Sequence, residues 1–269
     1  MTAEELSREE AWARAWDRRS PVWEALVEVL MTALAPAKDE RILDVGAGAG
    51  HAAVAAASAV GPSGEVVAVD MVEPVLRMAE RRAREAGVDN VRFLQIDAGS
   101  DEILGAPFDA VCSLLGVMFF TNPVGAFTNL RHHVRPSGRF AAVVWGDPSE
   151  NPLLPETLLA PFAPDANWTA VDGVYGPFAL APRGRALAYL GTAEWKAIEV
   201  EPIRLNPVVP EEAVFDEALL DMYGVEPRRR EEALEHVRAE VARHRSGDGV
   251  EMPLSVNVVT AKIPELIQD

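Results

Sequence analysis

Apolar positions along this chain follow two rhythms, one repeating every three to four residues and one in which short runs are apolar at nearly every place. The first governs PVWEALVEVLMTAL, where the spacing predicts a helix opening at Pro21, a residue suited to a first helical turn. The charged stretch before it, residues 3–18, reads as another helix, with Trp12 and Trp16 sharing a face at i, i+4. The second rhythm appears at ERILDVG, GEVVAVD, NVRFLQID, FDAVCSLLG and RFAAVVW. Runs of that kind are strands buried on both faces, and the helical stretches between most of them imply a parallel sheet. Between NVRFLQID and FDAVCSLLG only a short connection remains. A doubly wound α/β core over about residues 38–146 follows.

After Trp145 the pattern loosens. GDPSENPLLPETLLAPFAP is proline-rich and reads as irregular chain with short helices, RGRALAYLGTAEW as a helix and WKAIEVEPIRL as a strand. PEEAVFDEALLDMYG and PRRREEALEHVRAEVARHR read as a helical pair, the second laced with i, i+4 charge pairs on a solvated face. PLSVNVVTAKI returns to the sheet. The expected layout is a single domain: a helical lid over 1–37, a ligand-binding core over 38–146, a cap and substrate region over 147–250 interleaved with the sixth strand, and a final strand within 251–269.

Composition narrows the partners. The chain has 269 residues, 49% of them hydrophobic, enough to bury a sizeable core. Its 25 Lys and Arg face 42 Asp and Glu, a formal charge of −17, which argues against nucleic acid as a partner. The single cysteine, Cys112, excludes an internal disulfide and a cysteine-built metal or iron–sulfur site, and its apolar surroundings read as inert core. The charged start is unlike a signal peptide and no apolar run reaches membrane-spanning length, so a cytoplasmic protein is expected. The N-terminal helix with its tryptophans would suit a homodimer.

The chemistry gathers at the ends of the first strands. In open parallel sheets ligands bind beyond the carboxyl ends of the strands. In ILDVGAGAG, Gly46, Gly48 and Gly50 clear side chains from a loop that opens a helix, so a ligand can lie against bare backbone. Asp44, two residues before Gly46, is awkward for a pyrophosphate and helpful for an ammonium group. Asp70 lies 24 residues after Gly46, where a carboxylate would accept from both hydroxyls of a ribose. Asp97 ends the third run and could accept from an adenine amino group. The plain alternative is that all three acids cap the helices or turns that follow them.

These residues resemble the class I S-adenosylmethionine-dependent methyltransferases, in particular the small-molecule, ubiquinone-biosynthesis-like or type 11 branch. The resemblance covers about residues 38–150: ILDVGAGAG looks like the first motif, VVAVD the ribose motif, IDAG the adenine motif, FDAVCSLLGVMFFTNP the fourth motif, and LRHHVRPSGRFAAVVW the loop and strand after it. It implies a Rossmann-like seven-stranded sheet in the order 3-2-1-4-5-7-6 with the last strand antiparallel, and S-adenosyl-L-methionine as cofactor. By that resemblance Asp44, Gly46, Ala47 and Gly48 hold the methionine end and the sugar, Asp70 the ribose, Met71 the adenine face, and Asp97 with Ala98 the adenine edge. Ser113, Leu114 and Val117 would border the sulfonium. Asn122, where an acid is frequent, and Ser137, where glycine is frequent, depart from the pattern outside this set.

Methyl transfer asks mainly for an aligned nucleophile, with a base only where a proton must leave. The candidates are His51, Tyr175 and Asp147; packing explains the first two as well, and turn formation in GDPSEN the third. His132 and His133 are adjacent, so a metal site from the pair is not expected. Tyr223 and Met222 read as cap core, and Trp12, Trp16 and Trp23 as a lid or a docked helix. The expected reaction is methylation of a neutral, partly apolar small molecule such as a quinone, a polyketide or another secondary metabolite, with oxygen favoured over nitrogen or carbon. One alternative is a cofactor-binding enzyme that rearranges its substrate without methylating it. A nicotinamide oxidoreductase is the other, weakened because no tyrosine has a lysine four residues on.

Overall fold

A computed structural model describes residues 20–163, 169–171 and 173–265. The expected helix over 3–18, with Trp12 and Trp16, lies outside them. Helix α1 (Ser20–Leu34) buries Val22, Leu26, Leu30 and Leu34, one side chain per turn, as its i, i+4 pattern requires. Strands and helices then alternate: β1 (Arg41–Val45), α2 (His51–Val60), β2 (Glu65–Asp70), α3 (Glu73–Glu85), β3 (Val91–Gln95), β4 (Phe108–Leu114), α4 (Pro123–His132) and β5 (Val134–Trp145). The cap follows with α5 (Pro155–Leu159), α6 (Arg183–Thr192), β6 (Lys196–Leu205), β7 (Val208–Val209), α7 (Glu211–Val214), α8 (Ala218–Met222) and α9 (Arg230–Arg243). It closes with β8 (Arg245–Ser246), β9 (Gly249–Glu251) and β10 (Leu254–Lys262).

The seven-stranded sheet has the order β3-β2-β1-β4-β5-β10-β6. Strands β1 to β5 are parallel, and β10 runs antiparallel between β5 and β6. This is the expected order, β10 being the seventh strand of the sheet along the chain. The central strands are buried on both faces, as their unbroken apolar runs require. β6 carries Lys196, Glu199, Glu201 and Arg204 among alternating half-buried positions, the charged pattern that keeps an edge strand from pairing with another molecule.

Three expectations need correction. The third strand ends at Gln95, so Asp97 lies two residues beyond it. PEEAVFDEALLDMYG is not one helix: Phe215 is extended (φ −145°, ψ 140°) and Asp216 turns its carboxylate onto the Ala218 N–H, which starts a second short helix. A second, three-stranded sheet, β7-β9-β8, was not expected, because strands of two or three residues leave no periodicity to read. The cap joins the core through Asn151, whose side-chain amide accepts from Ser255 N–H (2.9 Å) and donates to Ser255 C=O (3.0 Å), pairing with β10 as a strand would. Among the described residues no helix is long and apolar enough to cross a membrane.

Candidate functional site

The site is built where β1 runs out. Val45 leads into Gly46, whose N–H donates with that of Ala47 to the Val69 carbonyl, both at 2.9 Å, locking the loop to the tip of β2. Gly46 has φ +69°, and a Cβ there would sit 2.8 Å from the Gly116 Cα, so only glycine lets the β1 and β4 tips close on each other. Gly48 differs: its φ is +52°, and a Cβ there would meet nothing within 4 Å. One glycine makes room for protein, and the other leaves a bare backbone face open to a ligand.

Asp44 lies behind this loop with 0% exposure. Its register partner on β4 is Cys112, whose thiol donates to Asp44 Oδ1 at 3.7 Å; Oδ2 has no hydrogen-bond partner. Burial pushes the Asp44 carboxyl up to about 7; Cys112 opposes the shift, the negative charge of Asp70 adds to it and the Ala53 N–H opposes it. A buried carboxylate oxygen left without a donor costs free energy that a ligand cation would recover, so the residues fit a cofactor that carries an ammonium group.

Asp70 ends β2 with a carboxylate that accepts from Gly48 N–H (2.9 Å) and Val72 N–H (3.0 Å). Burial raises its pKa while those amides and that of Met71 lower it. These amides do not fill its roughly four acceptor sites, which leaves capacity for the ribose hydroxyls. Met71 beside it is 63% exposed, and its carbonyl accepts from Gln95 Nε2 (3.1 Å). Asp97 accepts from Gly99 N–H (2.8 Å) and Ser100 Oγ (3.2 Å), next to buried Ala98. Capping therefore occupies Asp70 and Asp97 each in part, and leaves Asp44 aside.

Ser113 is fully buried. Its hydroxyl donates to the Val45 carbonyl (2.7 Å) and accepts from Gly116 N–H (3.3 Å) and Val117 N–H (3.2 Å), so the side chain ties the β4 tip to β1. Leu114 and Val117 are buried beside it.

The catalytic candidates separate. His51 is the first residue of α2, directly after the glycine loop, and its imidazole stacks on the Trp23 indole of α1 (centroids 4.7 Å apart, planes at 18°). Tyr175, 58% exposed, meets the Phe119 ring edge-on at 5.7 Å. Its loop is held by Gly176 N–H on the Met118 carbonyl (3.3 Å) and by Arg185, which donates to the Gly173 and Ala179 carbonyls. Asp147 is placed as a turn cap. Ser149 N–H and Oγ both donate to its Oδ1 and hold its pKa below the usual value.

His132 and His133 stand at the other end of α4, by the start of β4, where Phe108 N–H donates to the His133 carbonyl. His133 accepts from Ile103 N–H at Nε2 and meets the Asn129 carbonyl at Nδ1, a half-buried link between α4 and the loop before β4. Tyr223 is buried in the cap and donates to Glu156 Oε1 (2.8 Å). Among the described residues no group of three or more His, Cys, Asp or Glu could hold a metal ion.

Sequence reasoning missed three participants. Cys112 read as inert, and only the β1–β4 register reveals that its thiol faces Asp44. Phe119 was hidden in an apolar run, and the partnership of Trp23 with His51 had no signal, since the two residues lie on separate helices.

A methyltransferase-domain profile matches residues 36–158. The chain is 34% identical over 115 residues to the ubiquinone/menaquinone biosynthesis C-methyltransferase UbiE of Ectopseudomonas mendocina, covering 42% of this chain and 44% of that protein. It is 30% identical to the nocamycin O-methyltransferase of Saccharothrix syringae, covering 56% and 51%. The chain thus spans about half the length of these curated relatives. Among solved structures, Bacillus subtilis YcgJ superposes with a TM-score of 0.58 at 20% identity, over 90% of this chain and all of that one. The [4+2]-cyclase SpnF superposes with a TM-score of 0.52 at 18% identity, over 90% and 82%. At those identities the likeness is one of fold.

Proposed function

We propose, from the match of residues 36–158 to a methyltransferase-domain profile and the geometry of the glycine loop, that this chain binds S-adenosyl-L-methionine and methylates a small-molecule acceptor. The observation that carries this reading is Asp44: a fully buried carboxylate with one oxygen lacking a donor, set behind a glycine loop whose Gly48 face is open. When bound, the cofactor supplies an already activated methyl group on a positively charged sulfur.

This chain's residues then bind, align and exclude water. Asp44 answers the ammonium, Gly46, Ala47 and Gly48 lie against the methionine end and the sugar, and Asp70 accepts from the ribose hydroxyls with the capacity its amides leave. Met71 covers one adenine face, and the turn at Asp97 and Ala98 borders the adenine edge. Leu114 and Val117 form the wall beneath the sulfur, while Ser113 fixes that wall. Holding a nucleophile about 3 Å from the methyl carbon and in line with it supplies several kcal/mol of the barrier reduction.

The acceptor sits, in this reading, toward Phe119, Val174 and Tyr175, exposed apolar and aromatic side chains beside the β4 tip. That surface suits a neutral, partly apolar molecule such as a quinone, a polyketide or another secondary metabolite. We place oxygen first as the methylated atom, with the nocamycin relative's name in support; the UbiE relative, named as a C-methyltransferase, keeps carbon in view. His51 is our choice for a base where a hydroxyl must lose its proton, because it opens α2 at the ligand loop and Trp23 fixes the plane of its ring.

The test is calorimetric titration with S-adenosylmethionine, S-adenosylhomocysteine and NAD in parallel. Micromolar binding of the first two and none of NAD is expected; binding of NAD alone defeats the reading. A non-methylating rearrangement is the second reading, supported by the fold shared with SpnF. Release of label from methyl-labelled cofactor during turnover separates the two.

A further inference from the structure

We propose that Asp44 holds a proton in a substantial fraction of cofactor-free molecules at neutral pH, and in most of them in mild acid, and releases it to solvent when a cationic ligand end arrives, so that cofactor binding is proton-coupled. This rests on the cofactor reading above and goes beyond it.

The argument begins with what surrounds the carboxyl. Asp44 has no exposed surface, Oδ2 has no hydrogen-bond partner, and the hydrogen bond to Oδ1 comes from a thiol, a weak donor. An ionised carboxylate needs a cation or several strong donors to remain charged in such a place. The ionisable groups that face it offer neither. From β4 comes Cys112, whose own thiol is pushed well up by burial and by the Asp44 charge. From β2 comes Asp70, a second negative charge. From α2 comes the amide of Ala53, with His51 two residues earlier at the helix start. The cation that acts on the pair, Arg139, bears on Cys112 and is itself committed to both carboxylate oxygens of Glu40.

The exchange balances without another reactant. The Asp44 O–H bond breaks, its electron pair stays on the carboxylate, and the proton passes to buffer. The ligand's ammonium keeps its three hydrogens and supplies the counter-charge. Burial sets the carboxyl near 7, so roughly 0.9 proton should leave per ligand bound at about pH 6 and roughly half a proton at about pH 7. An α-amino group with a pKa of about 7.7–8.0 stays charged over most of that range and contributes little to the count.

The experiment is calorimetric titration with S-adenosylhomocysteine in buffers of differing ionisation enthalpy at pH 6.0, 6.5 and 7.0. Net proton release that declines with pH is expected in the wild type, with none in Asp44→Asn. In Cys112→Val, which removes the one side-chain donor, release should persist to higher pH. An infrared difference spectrum of the wild type gives a readout independent of any variant: the carbonyl band of a protonated carboxyl should vanish on ligand addition. Tight wild-type binding without proton release overturns the proposal and leaves the cofactor reading standing. Release that survives in Asp44→Asn assigns the proton to His51 or Asp70 and also overturns it. Failure of S-adenosylhomocysteine and S-adenosylmethionine to bind at all overturns both.

Discussion

At the amino ends of the parallel strands Glu65 is held between Arg41 and Arg92, Glu40 meets Arg139 at 2.7 Å, and Asp109 meets Arg135 at 2.5 Å. At the carboxyl ends Asp44 is answered by a thiol, Asp70 by backbone amides, and Asp97 by an amide and a hydroxyl. The pKa values follow the same division. Burial works to raise Glu40 and Glu65, yet hydrogen bonds from Arg139 to the one and from Arg41 and Arg92 to the other bring both below the usual value. Asp44 and Asp70 are raised. One end of the sheet is electrostatically complete, and the other holds acids that the fold has taken out of water without giving them a counter-charge. Even the cavity of about 270 Å³ at the complete end is lined by Arg139, Lys262 and Glu199, side chains of both signs.

Four measurements bear on that contrast. The largest effect is expected at Asp70: Asp70→Ala should weaken cofactor binding on the order of 100-fold or more by calorimetry, through loss of charged hydrogen bonds to the ribose. Because Asp70 also caps Gly48 and Val72, denaturant unfolding should show a further loss of about 1–2 kcal/mol. Unchanged affinity would remove the ligand end of the comparison.

Next comes Arg139, which also donates to the Leu34 and Ala35 carbonyls. Arg139→Ala should cost about 2–3 kcal/mol in denaturant melts. The depressed pKa of Glu40 fixes the sign with pH. Its contribution is present above the unfolded value near 4.5 and is lost as pH falls through the lower folded value, so the variant's deficit should shrink in acid. A constant deficit would show that the ion pair is not its source.

At the open end, Tyr175→Ala should raise the acceptor KM by about 3–10-fold while leaving cofactor affinity unchanged, and Tyr175→Phe should stay within about 2-fold if the ring makes the contact. A parallel fall in melting temperature and activity would return Tyr175 to a packing role. Glu65→Gln is the smallest, about 0.5–1 kcal/mol, since Arg41 and Arg92 are substantially exposed. A loss of several kcal/mol would mean that the paired end is less solvated than its geometry implies.

The parallel strands were legible because burial on both faces leaves an unmistakable run, and their ends pointed to Asp44 and Asp70, while Asp97 proved to lie two residues past its strand. The strand order came from resemblance to a family, since apolar runs do not encode their neighbours. What stayed hidden depended on contacts across the chain. Asp44 and Cys112 are 68 residues apart and meet only through the β1–β4 register. Ser113 fell in the motif as expected, but which way its hydroxyl turns is decided by the Val45 carbonyl. The break at Phe215 was missed because the amphipathic period continues across it while the backbone does not. His51 read as a loop-adjacent histidine with no hint of the indole stacked on it.

The place of β10 between β5 and β6 has a consequence for biosynthesis. Both neighbours leave the ribosome first, so during translation each presents an unpaired edge, that of β5 rich in Ala and Val. Neither edge closes until residues 254–262 emerge and insert between them, and the Asn151 clasp on Ser255 waits for the same segment. A nascent chain arrested before Leu254 would hold the whole ligand loop yet leave the apolar β5 edge open to pairing with other chains.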